Sequence, residues 1–418
     1  MAALLLAVVA ILFFSPDVFE GNVLQQHDTI QGIANGQEGK AYQEATGETT
    51  RWTDSLFGGM PNFQIAPSYP ANDMLTWVGK VFTLGLPSPA GILFAMMAGF
   101  FIMGLCFRLK WPMALFGALA WGFSSYFIII IGAGHIWKFI TLAYIPPTIG
   151  AIYLCYRGKY LYGTALTALF GALQLQGNHP QMTYYFMFVV LFLIIAWLID
   201  AIRKKEAMRW SKGTLCVLAA GLLALGVNSA SLYNTLEYSK ETVRGRATEL
   251  TPAGGEAADA AGMDRDAITA WSYGVDETLT LLIPNVKGGA TIKPVGGENQ
   301  MLSMAQTPTV QNSYVSPEEM QFIGYFPQYF GNQPMTNGPV YVGAFVLLLA
   351  VLAMFVVDDQ KWRATKWALF AAMILSVVLA WGHNLEPVTN FFIDYFPAYN
   401  KFRAVASMLV VLEFCVPC

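Results

Sequence analysis

Charge-free apolar runs constrain this chain more than any other feature. Residues 91–107, 112–131, 139–155, 161–176, 182–199, 213–230, 340–356 and 367–381 contain no Asp, Glu, Lys or Arg. Each is about as long as a helix needs to be to cross roughly 30 Å of hydrocarbon, where a helix satisfies its own backbone. Further apolar runs at 1–15 and from 404 to the C-terminus bring the expected spans to about ten. Only 12% of the 418 residues are charged, about half of what a soluble domain carries. The expected fold is therefore an all-α polytopic membrane protein with two large extracytoplasmic loops.

Charge distribution predicts the orientation. The short loops around 108–111, 156–160, 200–212 and 358–366 hold 12 of the 24 basic residues, among them Arg108, Arg157, Arg203, Lys204, Lys205, Arg209 and Lys361. The bias of Lys and Arg toward cytoplasmic loops puts these inside. Segments 16–90, 132–138, 177–181, 231–339 and 382–403 then face outward. The resulting division is a first helix at 1–15, an outer loop at 16–90, helices two to seven over 91–230, a large outer loop at 231–339 and helices eight to ten over 340–418. All five cysteines fall at cytoplasmic ends, so no disulfide framework is expected, and they read as small core residues. Met1–Phe14 lacks a basic leader and a following small-residue cleavage site, and reads as a signal anchor or a clipped first helix. The last run ends at Cys418, where the tenth helix reads as truncated.

The long outer loops carry turn signals and aromatics. Gly58-Gly59-Met60-Pro61, Pro67 and Pro70 mark the first, and Ala253–Gly262, Ile283-Pro284-Asn285 and Gly288-Gly289 mark the second. Trp271, Tyr273, Tyr314, Phe322, Tyr325, Phe326, Tyr329 and Phe330 predict a small ordered lid in the second.

The four histidines, His27, His135, His179 and His383, all lie in outward segments beside polar residues or glycine. Asp28 follows His27 about a dozen residues beyond the first helix. A carboxylate there can accept a proton from a hydroxyl, though a solvated acid or a helix N-cap is the plainer alternative. Glu38 and Asp54 are further acids of the same loop. Lys138, Arg244, Arg246, Lys401 and Arg403 form an outward row of cations at the depth of a lipid-linked phosphate, with snorkelling helix-end cations as the alternative. No P-loop, HExxH or paired CxxC is present, so no nucleic-acid or nucleotide reading arises and an activated lipid is favoured as any donor. No metal site is assigned.

Several segments resemble the YfhO-like bacterial membrane proteins of the GT-C class of polyprenyl-phosphate-dependent glycosyltransferases. They are Gln26-His27-Asp28, Gly134-His135 with Lys138, the run Gln176-Gly177-Asn178-His179-Pro180-Gln181-Met182-Thr183-Tyr184-Tyr185, Glu237-Tyr238-Ser239, Arg244-Gly245, Tyr329-Phe330-Gly331-Asn332-Gln333-Pro334 and Tyr399-Asn400-Lys401-Phe402-Arg403. Members are longer, so the resemblance implies an N-terminal portion. It also implies a GT-C-like fold in the bacterial cytoplasmic membrane and an inverting transfer of sugar from a polyprenyl-phosphate donor to an envelope glycan or polymer acceptor. Asp28 would be the catalytic base. Lys138, Arg244 and Arg403 would hold the donor phosphate, and His27, His135 and His179 would orient substrate. A divalent metal is compatible with this class. Two other readings stand beside it: a transporter or flippase, and a non-catalytic scaffold for envelope assembly. A transporter calls for polar groups near the bilayer midplane, where Glu413 is the one ionisable residue within an expected span.

Overall fold

In a computed structural model, which describes residues 1–62, 65, 73–245, 262–291 and 328–418, the chain is mostly helical. The helices that build the membrane body are α1 (Ala2–Phe13), α6 (Ala90–Cys106), α7 (Trp111–Gly122), α8 (Ser125–Ala133), α9 (Ile136–Tyr156), α10 (Tyr160–Gln176), α11 (Pro180–Arg203) and α12 (Ala207–Val227). After the second outer segment come α15 (Ala344–Val356), α16 (Gln360–Ala380), α17 (Glu386–Tyr395) and α18 (Leu409–Cys415). The first outer segment contributes α2 (Ser15–Phe19), α3 (His27–Asn35), α4 (Gln37–Thr46) and α5 (Asp73–Phe82). The second contributes α13 (Ser229–Ser239) and α14 (Arg265–Thr269) among the described residues. Trp52–Thr53 and Met60–Pro61 pair as a two-residue antiparallel ribbon.

Every one of the ten apolar runs is at least partly helical, but not all as single uninterrupted spans. Four helices, α9, α11, α12 and α16, are both long and apolar enough to cross a membrane. A fifth crossing arises if α7 and α8, bent by 41° at their junction, count as one broken span. α1, α6 and α15 are shorter apolar helices, and residues 405–415 split into a 3₁₀ turn followed by α18. The run 213–230 is interrupted at Asn228, whose buried amide donates to the Ala172 and Ala224 carbonyls at 3.0 Å each and turns the chain into α13.

α9 is the central helix. Of its apolar window 78% is buried, against 17% for α12, which therefore presents most of its surface to lipid. α6, α10, α11 and α12 all pack on α9. Close approach depends on small residues: a Cβ at Gly99 of α6 would sit 2.5 Å from the Ala143 carbonyl and 2.9 Å from Pro147 Cδ of α9. In lipid such contacts replace the hydrophobic drive as the source of helix association. The buried core joins α1, α6 to α9, α11, α16 and α18, with Trp121, Phe127, Phe186 and Phe414 in edge-to-face contact at its centre.

The break between α7 and α8 is stabilised from far along the chain. Glu413 of α18, 1% exposed, accepts hydrogen bonds from Ser124 Oγ, from Ser125 Oγ at 3.5 Å and from the Tyr126 amide at 3.4 Å. Freed amides and hydroxyls at a broken helix need such a partner where water is excluded. The first outer segment is also ordered. Glu38 caps the ribbon by accepting from Thr53 Oγ1 and from the Asp54 and Ser55 amides at 2.9 and 3.0 Å, and Asp54 accepts from the Trp52 indole at 2.9 Å. These two acids shape the loop. Of the expected lid, Tyr314, Phe322, Tyr325 and Phe326 lie outside the described residues, as do Arg246 of the cation row and Pro67 and Pro70 of the first outer segment. Tyr273 is buried and Trp271 donates to the Met335 carbonyl, whereas Phe330 is exposed.

Candidate functional site

The site forms where three backbone features meet above the start of α9. The first is the α8–α9 turn. Gly134 has φ +87°, a left-handed conformation that glycine adopts without penalty, and it reverses the chain so that His135 caps α9. The second is the start of α3. Gln26, 7% exposed, sends its amide to the Ile131 carbonyl at 2.6 Å and accepts from Thr29 Oγ1 at 2.9 Å. This seats α3 directly on Gly134, where an added Cβ would meet Thr29 N and Oγ1 at 3.0 Å and Gln26 Cβ at 3.1 Å. Asp28 then lies in the first turn of α3, where the helix dipole favours negative charge, while Gln26 holds the cap position.

The consequence is a contact of 3.0 Å between Asp28 Oδ2 and His135 Nε2. Desolvation, followed by the charge of Lys138, pushes His135 down to about 4, against the opposing pull of Asp28. The imidazole is thus neutral at pH 7. Its Nε2–H donates to the carboxylate in a charge-assisted bond, and its Nδ1 lone pair is buried without a hydrogen-bond partner. His27 stands on the outer edge, 88% exposed, with Nδ1 3.3 Å from Asp28 Oδ1.

The third feature is the 176–185 run against the 397–404 turn. His179 caps α11 by accepting from the Met182 amide through Nδ1 at 3.4 Å, which leaves the ring proton on Nε2. Burial, then Lys138 and His135, lower His179 to about 3, so it too is neutral. Gln181 bridges the Tyr185 hydroxyl at 2.8 Å and the Arg403 carbonyl at 2.6 Å, and Tyr184 donates to the Pro397 carbonyl at 2.9 Å. The turn bearing Arg403 is flanked by Ala398 and Ala404 at φ +63° and +59°. Left-handed backbone costs a residue with a Cβ roughly 1 kcal/mol, and such strain concentrates where a turn is over-determined by its surroundings. The surroundings are visible: Ala404 N–H donates to the Ile268 carbonyl and Met263 N–H to the Asn400 carbonyl. Lys401 donates to the Arg244 carbonyl, tying that residue to the same turn.

The cations converge on the histidines. Lys138, in the first turn of α9, lies 5.9 Å from the centre of the Tyr126 ring, and its charge acts on both His135 and His179. Arg403 acts on His135 and on Arg244, and Arg244 acts on His179. Partial desolvation, then Arg403, lower Arg244 below its ordinary value. Asp28 thus meets the neutral His135 directly and feels the charge of Lys138, while His179, Arg244 and Arg403 are linked to this pair through Lys138 and His135, with Arg244 and Arg403 exposed to solvent. Among the described residues no three His, Cys, Asp or Glu side chains group with metal-ligand spacing. His383 lies elsewhere, its Nδ1 3.2 Å from the Thr269 carbonyl.

Sequence reasoning missed Gln26 and Gln181 as positioning groups, and it missed Glu277 entirely. Glu277 is 2% exposed and accepts from the Gly274 and Asn332 amides at 3.0 and 3.2 Å, from Gln333 Nε2 at 3.2 Å and from the Tyr329 hydroxyl. Burial and this carboxylate push the Tyr329 phenol above its ordinary value. The Tyr329–Pro334 run was the available signal, but nothing in it points to Glu277.

Fold and site together define an all-α membrane protein with a polar cluster at one end of its helical body. In comparisons with known proteins, no family model, curated protein or solved structure matches the chain.

Proposed function

We propose that the chain is a membrane glycosyltransferase that moves a sugar from a polyprenyl-phosphate donor to an envelope glycan or polymer acceptor outside the cytoplasmic membrane of a bacterium. The observation that carries this reading is the Asp28–His135 contact lying within the field of Lys138 and Arg403, with Arg244 acting on the neighbouring His179. An acceptor hydroxyl gives its proton to Asp28 as its oxygen bonds to the anomeric carbon. The bond from that carbon to the phosphate oxygen breaks, and its electron pair leaves with the polyprenyl phosphate. Attack opposite the leaving group inverts the anomeric centre. The cations offset the charge developing on the departing phosphate, a type of pre-organised stabilisation worth several kcal/mol. His135 holds the carboxylate in place, and the Nε2–H of His179 is available to a sugar or phosphate oxygen.

On this reading the ten apolar runs form a GT-C-like body in which α7–α8 and α18 complete crossings. The test supplies membranes containing the protein with a radiolabelled polyprenyl-phosphate sugar. Label transferred to non-lipid material with release of polyprenyl phosphate supports the reading. Donor that crosses the bilayer intact, or never reacts, contradicts it.

A transporter is the second reading, favoured by one observation: the 41° break between α7 and α8 with the buried Glu413 against it. Broken helices with a buried acid mark ion and substrate sites in transporters. Intact passage of the donor in the same assay separates the two.

A further inference from the structure

The opposite end of α9 holds a polar cavity, about 30 Å from the Asp28–His135 cluster at 1.5 Å per residue. Its volume is about 310 Å³, within the range of small-ligand pockets. The C-terminal ends of α9 and α11 and the N-terminal ends of α12 and α16 enclose it, so four separate segments contribute to one concavity.

Its charge balance is uneven. Asp200 is paired with Lys204 at 2.7 Å, and Glu206 with Arg209 at 3.3 Å. Arg157 and Lys361 also line the cavity, and neither forms an ion pair with a described carboxylate. Arg157 lies 5.7 Å from the centre of the Tyr153 ring and buries Nη1 with no hydrogen-bond partner. Lys361 sits 4.3 Å from the centre of the Trp362 ring. A buried guanidinium nitrogen without an acceptor is costly, and an anionic oxygen is the acceptor it matches best. The indole N–H groups do not compete for that ligand: Trp197 donates to Thr365 Oγ1 and Trp210 to the Ile194 carbonyl.

The surroundings select the kind of anion. Tyr153, Tyr156, Trp197 and Trp210 pack in series as tilted ring pairs, with ring centres 5.2 to 6.1 Å apart, forming an aromatic rim of the type found at headgroup depth. Just outside, Ile199 and Ile202 of α11 and Met208 of α12 stay exposed, an apolar surface suited to acyl chains. We propose that this cavity is a phosphate-binding site that holds the headgroup of an anionic membrane phospholipid. The proposal is independent of the sugar-transfer reading. By the charge distribution this end faces the cytoplasm, where basic pockets between helices bind anionic lipid headgroups.

The test uses the full chain in detergent and measures thermal stabilisation by phosphatidylglycerol, by phosphatidylcholine and by soluble glycerol 3-phosphate. Phosphatidylglycerol is expected to stabilise the protein at concentrations where the other two do not. Arg157→Gln and Lys361→Gln are each expected to weaken that binding about fivefold, from the energy of one cation near an anionic surface. Lys159→Gln, an exposed loop cation outside the cavity, is expected to leave it unchanged. Lys361 is exposed, so its variant keeps the test valid even where Arg157→Gln fails to fold. Unaltered phosphatidylglycerol affinity in both cavity variants, or equal loss in Lys159→Gln, would overturn the proposal. Equal stabilisation by glycerol 3-phosphate would overturn the lipid assignment.

Discussion

Asp28 Oδ2 stands 3.0 Å from His135 Nε2, so α3 of the first outer segment and the N-cap position of the central helix α9 share one polar contact. That contact exists because Gly134 leaves room for it. Gly134→Ala places a Cβ at 3.0 Å from Thr29 N and Oγ1 on a backbone with φ +87°. The strained backbone alone costs roughly 1 kcal/mol, and relief requires α3 to move away. The variant is expected to be inserted normally while transfer activity falls at least tenfold. Wild-type activity in a stably inserted Gly134→Ala protein would mean that α3 does not need this seat.

Neutral histidines give a pH signature. His135 and His179 titrate at about 4 and about 3 when folded, against an ordinary value of 6.5. Between 6.5 and those values the unfolded chain binds protons that the folded chain refuses, so stability drops as pH falls through that window. Their contribution is fully present above 6.5. Thermal midpoints at pH 7 and pH 5 check this: His135→Gln and His179→Gln should each lose less on acidification than the wild type. An equal or larger loss in both variants would contradict the assignment.

How much of this was legible in the sequence depends on distance along the chain. The helices were legible because a charge-free run has one economical conformation in hydrocarbon. The break at Ser124 was not, because its partner Glu413 is supplied from the other end of the sequence. Asp28, His135 and Lys138 were legible as polar residues at helix ends on one side of the apolar runs. Their assembly was not, because it depends on Gln26 reaching Ile131 and on the room above Gly134. Glu38 and Asp54 resemble Asp28 by position alone. Their hydrogen bonds to the Trp52–Ser55 turn distinguish them, and those appear only in three dimensions.

Glu277 provides a stability test away from the site. Glu277→Ala leaves the Gly274 and Asn332 amides and the Tyr329 hydroxyl without their acceptor in a buried setting. Removing the acceptor from one buried donor costs about 1–3 kcal/mol, so a loss of roughly 3 kcal/mol is expected. Denaturation in detergent reads this directly. A thermal midpoint within a degree of the wild type would show that water replaces the carboxylate freely.

Orientation is open to chemical labelling. In a protein with its native cysteines replaced, cysteine at the exposed Glu48 should react with an impermeant thiol reagent on intact spheroplasts, while cysteine at the exposed Ser211 should not. Labelling at Ser211 with protection at Glu48 would invert the topology and move the Asp28 cluster to the cytoplasmic side.

The role of Asp28 as base is tested most directly by Asp28→Asn. The amide keeps the side chain's shape and can still accept a hydrogen bond from His135 Nε2–H, but it cannot take a proton from an acceptor hydroxyl. With radiolabelled polyprenyl-phosphate sugar as donor, transfer is expected to fall by roughly 10²- to 10⁴-fold at unchanged expression and thermal midpoint. Full transfer by a well-inserted Asp28→Asn protein would contradict the catalytic assignment.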